Sequence, residues 1–278
     1  MTRWLPFHWH LVELLLVVAA GAAHHRVVRA PALRRRAEGA LVVLAAVVAW
    51  PVGDLAASVS LTVATLQRLV VMLAVVPLLL GATPTEVFER LTRPAPVDRV
   101  VAWLSHPGAA LAAVTVVGTA SLIVPVVDWG ARSALGRDVV VAMTLGAGGL
   151  LWLPVLHVVP GTRVLSPMAR AGYVFVSSVV VTSLSVVWIF ARHPLYPALH
   201  YQHELLHLSP LLDQQVAGFV AKLGAYAPMW AIAFVIFARA DRDALPVEER
   251  PLHWADVERE LLRADRQRAR ALRRHPSA

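Results

Sequence analysis

Residues 40–80 read ALVVLAAVVAWPVGDLAASVSLTVATLQRLVVMLAVVPLLL. How this stretch is divided decides the fold. It is apolar almost throughout, and only Pro51, Gly53 and Asp54 punctuate it. Proline and glycine interrupt helices, so the stretch divides into two runs, 40–57 and 58–80. Working outward, five more runs of membrane-spanning length follow the same rule: 5–23, 108–127, 138–159, 168–191 and 211–238. Hydrophobic residues make up 58% of the 278, and mean hydropathy is +0.61. In hydrocarbon the backbone must satisfy its own hydrogen bonds, so each run is expected to be a helix. The expected fold is all-α, a polytopic membrane protein of seven transmembrane helices. Residues 1–240 form the membrane domain and 241–278 a basic tail.

Charge sets the expected orientation. Arg26, Arg29, Arg34, Arg35 and Arg36 follow the first run. Arg90, Arg93 and Arg99 follow the third, and Arg163 and Arg170 the fifth. With the arginines beyond residue 238, these loops hold 20 of the 26 basic residues. The other side holds Arg3, Arg132, Arg137 and Arg192. Basic loops stay in the cytoplasm, which puts the N-terminus outside and the C-terminus inside. Residues 11–23 look like the apolar part of a signal peptide, but a signal peptide carries its positive charge in front, and here the arginines follow.

The net charge of +8 and pI near 11.0 follow from that topology, so nucleic acid is not expected as a partner. The lipid bilayer is. Residues 252–274 place Trp254, Val257, Leu261 and Leu262 at near-helical spacing among arginines. That suits either a basic amphipathic helix on anionic lipid or a solvated tail. There are no cysteines, which excludes disulfides and thiolate metal chemistry. The dominance of arginine over lysine, with abundant Ala and Val, suggests a GC-rich bacterial genome and hence a bacterial plasma membrane.

Three ionisable residues fall inside apolar runs: Glu13, Arg68 and Lys222. A charge at that depth costs about 2.5–3.5 kcal/mol even on the mildest scale unless it is paired or wetted. A Glu13–Arg68 pair would offset both costs. Such groups either fix helix packing or mark a functional site. Pro77, Pro125, Pro154 and Pro228 are expected to kink helices or to sit near their ends.

The segment 193–207 holds four of the twelve histidines: His193, His200, His203 and His207. On a helix His200, His203 and His207 would share one face. Imidazole and carboxylate suit copper(II) or zinc, and Asp213 is the nearest further ligand. His203-Glu204-Leu-Leu-His207 also spells the zincin pattern, in which two histidines hold zinc and the glutamate activates water. No convincing third zincin ligand is present, and a His-rich polar loop with no metal is the plain alternative.

Three further segments carry a family resemblance. They are Leu165-Ser-Pro-Met-Ala-Arg170-Ala-Gly-Tyr173, Pro194-Leu-Tyr196-Pro197, and Ser209-Pro210-Leu-Leu-Asp213-Gln214-Gln215-Val-Ala217-Gly218. Together they resemble the CtaG family, the seven-span assembly factors of cytochrome c oxidase. Weaker collinear matches run through Val76-Pro77-Leu-Leu-Leu-Gly81 and Leu151-Trp152-Leu-Pro154-Val-Leu156. The resemblance implies an assembly factor, not an enzyme, whose partners are cytochrome c oxidase subunits and whose outer face assists copper insertion. The chain also departs from the family. Where the family carries a histidine pair in its third helix, this sequence has Thr65 and Leu69. Leu122 and Ile123 replace a Trp-His, and Val140 and Val141 replace a Glu-His. If those histidines handle copper, that site is lost here, and the cluster at 193–207 is a candidate replacement.

The residues expected to matter are therefore His200, His203, His207 and Asp213 for metal, Tyr196, Ser209, Asp213, Gln214 and Gln215 for the family motif, and Glu13, Arg68 and Lys222 as intramembrane charges. Asp213 is expected to cap free N–H groups at the start of its own helix, and the two glutamines to meet a partner helix or a metal-bound water. Two rival functions remain open. One is a membrane-embedded zinc metalloprotease using His203, Glu204 and His207. The other is a small-solute transporter using the three buried charges, against which the absence of a sequence repeat counts.

Overall fold

The computed structural model describes residues 9–162, 164–199, 208–244 and 258. Every regular element among them is helical. In chain order these are α1 (Leu11–Val27), α2 (Pro31–Val48), α3 (Val52–Ser58), α4 (Leu61–Val70), a π-helical turn (Val71–Val75), α5 (Val76–Ala82), α6 (Thr85–Thr92), α7 (Ala95–Leu104), α8 (Pro107–Ala120), α9 (Val124–Arg132), α10 (Ala134–Leu156), α11 (Pro167–Val181), α12 (Leu184–Ile189) and α13 (Pro210–Ala244).

The protein is a multi-pass membrane protein. Four helical bodies are long and apolar enough to cross a bilayer: Leu61–Ala82, Ala134–Leu156, Pro167–Ile189 and Pro210–Arg242. Two bent pairs raise the number to six. Pro31–Val48 and Val52–Ser58 turn by 52°, and Ala95–Leu104 and Pro107–Ala120 by 93°. The first apolar run of the sequence is the helix Leu11–Val27, whose 17 residues stand at the lower end of the ~17–25 that cross a bilayer.

The division at residues 49–60 has a local cause. Pro51 cannot donate to the ladder, so α2 ends at Val48 and the short α3 restarts at a new angle. Ser60 then adopts extended backbone, and its hydroxyl accepts the amide of Val63, which caps α4. Further on, Pro77 offers no N–H to the carbonyls of the turn before it. The preceding turn widens into the π turn, and the freed Met72 carbonyl accepts the indole N–H of Trp152 at 2.7 Å. Pro125 stands in the first turn of α9, Pro154 in the last turn of α10, and Pro228 inside α13.

Side-chain ties show which helix starts lie together. His10 precedes α1 and approaches Asp54 of α3 at 3.3 Å, and Arg137 in the first turn of α10 meets the same carboxylate at 3.2 Å. Asp213 in the first turn of α13 bonds to Ser60 at the start of α4. At the other end His24 near the end of α1 hydrogen-bonds the carbonyl of Ala82, where α5 finishes. The main core runs between them and packs Leu44, Val75, Val114, Leu151, Val174 and Met229 from six helical segments. Small residues let the helices close. A Cβ at Gly148 would meet the Val76 side chain at 2.9 Å, and one at Gly218 would meet the Ser185 carbonyl at 2.9 Å.

The chain divides into units Met1–Phe237 and Ala238–Ala278. The expected amphipathic segment 252–274 lies outside the described residues, apart from Glu258.

Candidate functional site

Two places bring the singled-out residues together. The first is a clamp at the start of α13. Ser209 caps its own helix by accepting the amide of Leu212 at 3.2 Å. Asp213, which is 1% exposed, does not cap α13 as expected; its carboxylate reaches across to α4. One oxygen accepts the Ser60 hydroxyl at 2.6 Å and the Thr62 amide at 3.4 Å, and the other accepts the Leu61 amide at 2.7 Å. The Thr62 hydroxyl donates back to the Asp213 carbonyl at 2.9 Å. An anion here neutralises the positive end of the α4 dipole as well as its orphan donors. Spacing within one helix could not have revealed this, because the bonded residues lie some 150 positions apart.

The glutamines are also used internally. The Gln214 carbonyl accepts the Leu195 amide at 2.8 Å, and the Gln215 amide donates to the Ala191 carbonyl at 3.2 Å. They hold the segment after α12 against α13. Tyr196 completes the clamp. Its hydroxyl donates to the Leu122 carbonyl at 2.8 Å and accepts the Trp188 indole N–H at 3.1 Å. Burial pushes the Tyr196 hydroxyl up to about 12, partly offset by Trp188 and Arg68, so it stays protonated and remains a donor. The Gly218 contact with Ser185 belongs to the same joint.

The second place is a cavity between α1, α3, α4, α9 and α10, with an empty volume of about 870 Å³ including its opening. Glu13 and Arg68 both line it, but they do not pair. Glu13 accepts from His10 Nδ1 at 3.2 Å and faces Asp138. Arg68 donates to the Ser121 hydroxyl at 2.5 Å and the Gly118 carbonyl at 3.0 Å. The reason is depth. The apolar run begins near residue 5, but α1 begins at Leu11, which leaves Glu13 in the first turn. Arg68 lies seven residues into its helix against two for Glu13, a difference of roughly 7–8 Å at 1.5 Å per residue. A smaller cavity of about 550 Å³ adjoins Arg68 on the side of α12 and α13. Lys222 lines neither; its ammonium sits 4.9 Å over the Tyr226 ring.

Most positions where the family's motif residues are missing line these cavities; Ile123, which stands in place of one of its histidines, lines neither and is 46% exposed. Thr65, Leu122, Val140 and Val141 line the larger one, and Leu69 lines the smaller. Hydroxyl and alkyl groups around a guanidinium are not a donor set for copper, which takes imidazole or sulfur. The copper that the family implies does not fit at this position in this chain. Among the described residues no group of three His, Asp or Glu is disposed to hold a metal ion. His200, His203, Glu204 and His207 lie outside the described residues.

Sequence reasoning missed one feature altogether. Asp54, treated as punctuation, is fully buried between His10 and Arg137. A carboxylate between two apolar runs was the available signal, since it must find a partner.

An all-helical membrane body closed by a buried acid-and-amide clamp, with a cavity inside it, defines the class of protein. The family model described as cytochrome c oxidase caa3 assembly factor matches residues 10–243, and the chain belongs to that family. No curated protein and no solved structure matches it.

Proposed function

We propose that this protein is a non-catalytic membrane scaffold in the maturation of a cytochrome c oxidase. The family match over residues 10–243 carries the reading. The family motif at 209–218 supports it: those side chains are spent on closing the fold, as a scaffold requires, and not on a reacting centre. The protein crosses a bacterial plasma membrane seven times with its N-terminus outside, a reading supported by the arginine asymmetry between loops. Reporters fused after Arg36 and after His207 should report opposite sides; like behaviour at both would reject this topology.

The finer role is handling copper, as cargo, at the outer face through His200, His203 and His207. Their expected common helical face supports it. Asp213 has no part in this set, because both its oxygens are committed to α4. Deleting the protein should lower assembled oxidase in membranes, and Glu204→Gln should leave assembly intact. The substitution removes a water-activating carboxylate while keeping size and polarity. Loss of assembly in Glu204→Gln equal to the deletion would favour zinc-dependent hydrolysis instead.

A further inference from the structure

Among the described residues, Arg68 is the ionisable group left without an opposite charge in the larger cavity. The other charged side chains in its lining are matched. Glu13 stands 3.2 Å from His10, and Arg137 stands 3.2 Å from Asp54. Arg68 has no carboxylate within salt-bridge distance among the described residues; it donates to the neutral Ser121 and Gly118. A guanidinium carries five N–H donors and stays charged at any physiological pH, so donors remain for a further acceptor. Arg68 also stands where two cavities meet, so its head group is approached by open space from two sides.

We propose that the cavity around Arg68 is a binding site for a small monocarboxylate with an apolar body. The charge of the ligand follows from the site. One unmatched guanidinium offers one bidentate fork, which suits a single carboxylate. A phosphate dianion would need a second free cation, and Arg137 is already held by Asp54, while Glu13 in the same wall repels added negative charge. The body of the ligand follows from the rest of the wall. Ala57, Ala64, Val71, Leu122, Val127 and Val141 present only hydrocarbon. A bare inorganic anion would leave that surface unfilled, and an uncharged alkane would leave Arg68 unmatched. The inference goes beyond a role in oxidase assembly and does not depend on it.

The test uses the purified full-length protein in detergent, titrated with hexanoate, hexanol and acetate, with calorimetry as the readout. Hexanoate should bind saturably. Hexanol lacks the charge and acetate lacks the body, and each should bind about tenfold or more weakly. Arg68→Gln should lose hexanoate binding by a similar factor, and Arg68→Lys should recover part of it, since a lysine keeps the charge but not the fork. Should Arg68→Gln fail to fold, Val140→Phe fills the apolar wall and leaves Arg68 in place, and it should abolish hexanoate binding with thermal unfolding unchanged. Micelle partitioning is common to all the variants and cancels in their comparison. Equal hexanoate binding by parent, Arg68→Gln and Val140→Phe, or no saturable binding to the parent at all, would overturn the proposal.

Discussion

Asp213, buried, and Arg68, half-buried, are both charges inside the helical body, and the protein treats them in opposite ways. Asp213 accepts three hydrogen bonds from two residues' amides and one hydroxyl, all from the start of α4. Arg68 donates to two neutral oxygens and faces open space. A saturated charge in a closed joint is a structural element, because removing it strands several donors at once. An unsaturated charge in a cavity carries a desolvation cost that the fold does not recover. The difference teaches that burial of a charge says little until its partners are counted.

The comparison breaks most directly at Asp213. Asp213→Ala leaves the Ser60 hydroxyl and the Leu61 and Thr62 amides without their acceptor, a loss of about 3 kcal/mol or more given ~1–3 kcal/mol per stranded buried donor. Thermal unfolding in detergent should show a large drop in Tm, with Asp213→Asn between parent and Ala. An Ala variant as stable as the parent would remove the structural reading. Next comes Gly218→Val, which drives a branched side chain into the Ser185 carbonyl and Ile189 and should cost about 1–3 kcal/mol by overpacking. The same unfolding assay checks it; no change would mean that α12 and α13 can part freely.

Tyr196→Phe is the milder cut in the same clamp. It strands the Trp188 indole N–H and the Leu122 carbonyl and should cost about 2 kcal/mol. A cost as large as that of Asp213→Ala would shift the centre of the clamp from α4 to the segment after α12. The smallest effect belongs to Arg68→Met. Replacing an unmatched half-buried cation by an apolar side chain of similar length should leave stability within about 1 kcal/mol of the parent or raise it. A fall as steep as that of Asp213→Ala would show Arg68 to be a structural charge after all, and the contrast would collapse.

Much of the fold was legible in the sequence. Periodic apolar runs, Pro51 and the arginine-rich loops mark the helical bodies and their breaks, because these signals act within one helix length. The family resemblance through 165–218 was legible too, and the match over residues 10–243 bears it out. The Glu13–Arg68 pair was not. It rested on depth counted along apolar runs, and the run and the helix of α1 do not start at the same residue. The capping role of Asp213 was half legible: the right chemistry was assigned to the wrong helix.

The sequence by itself determined that this chain is helical, bound for a membrane, and related to the oxidase assembly factors. Composition and local spacing suffice for that, since the bilayer forces each apolar run to close its own hydrogen bonds. Only the tertiary structure decided what the polar residues do. A side chain such as Asp213 or Arg68 can be answered by any neighbouring helix, and which helix lies beside it is set by packing between residues 50 to 153 positions apart in the chain. For that reason the same sequence that names Asp213, Gln214 and Gln215 as a motif cannot say that they close a joint. Nor can it say that Thr65, Leu122, Val140 and Val141 gather around one unmatched arginine.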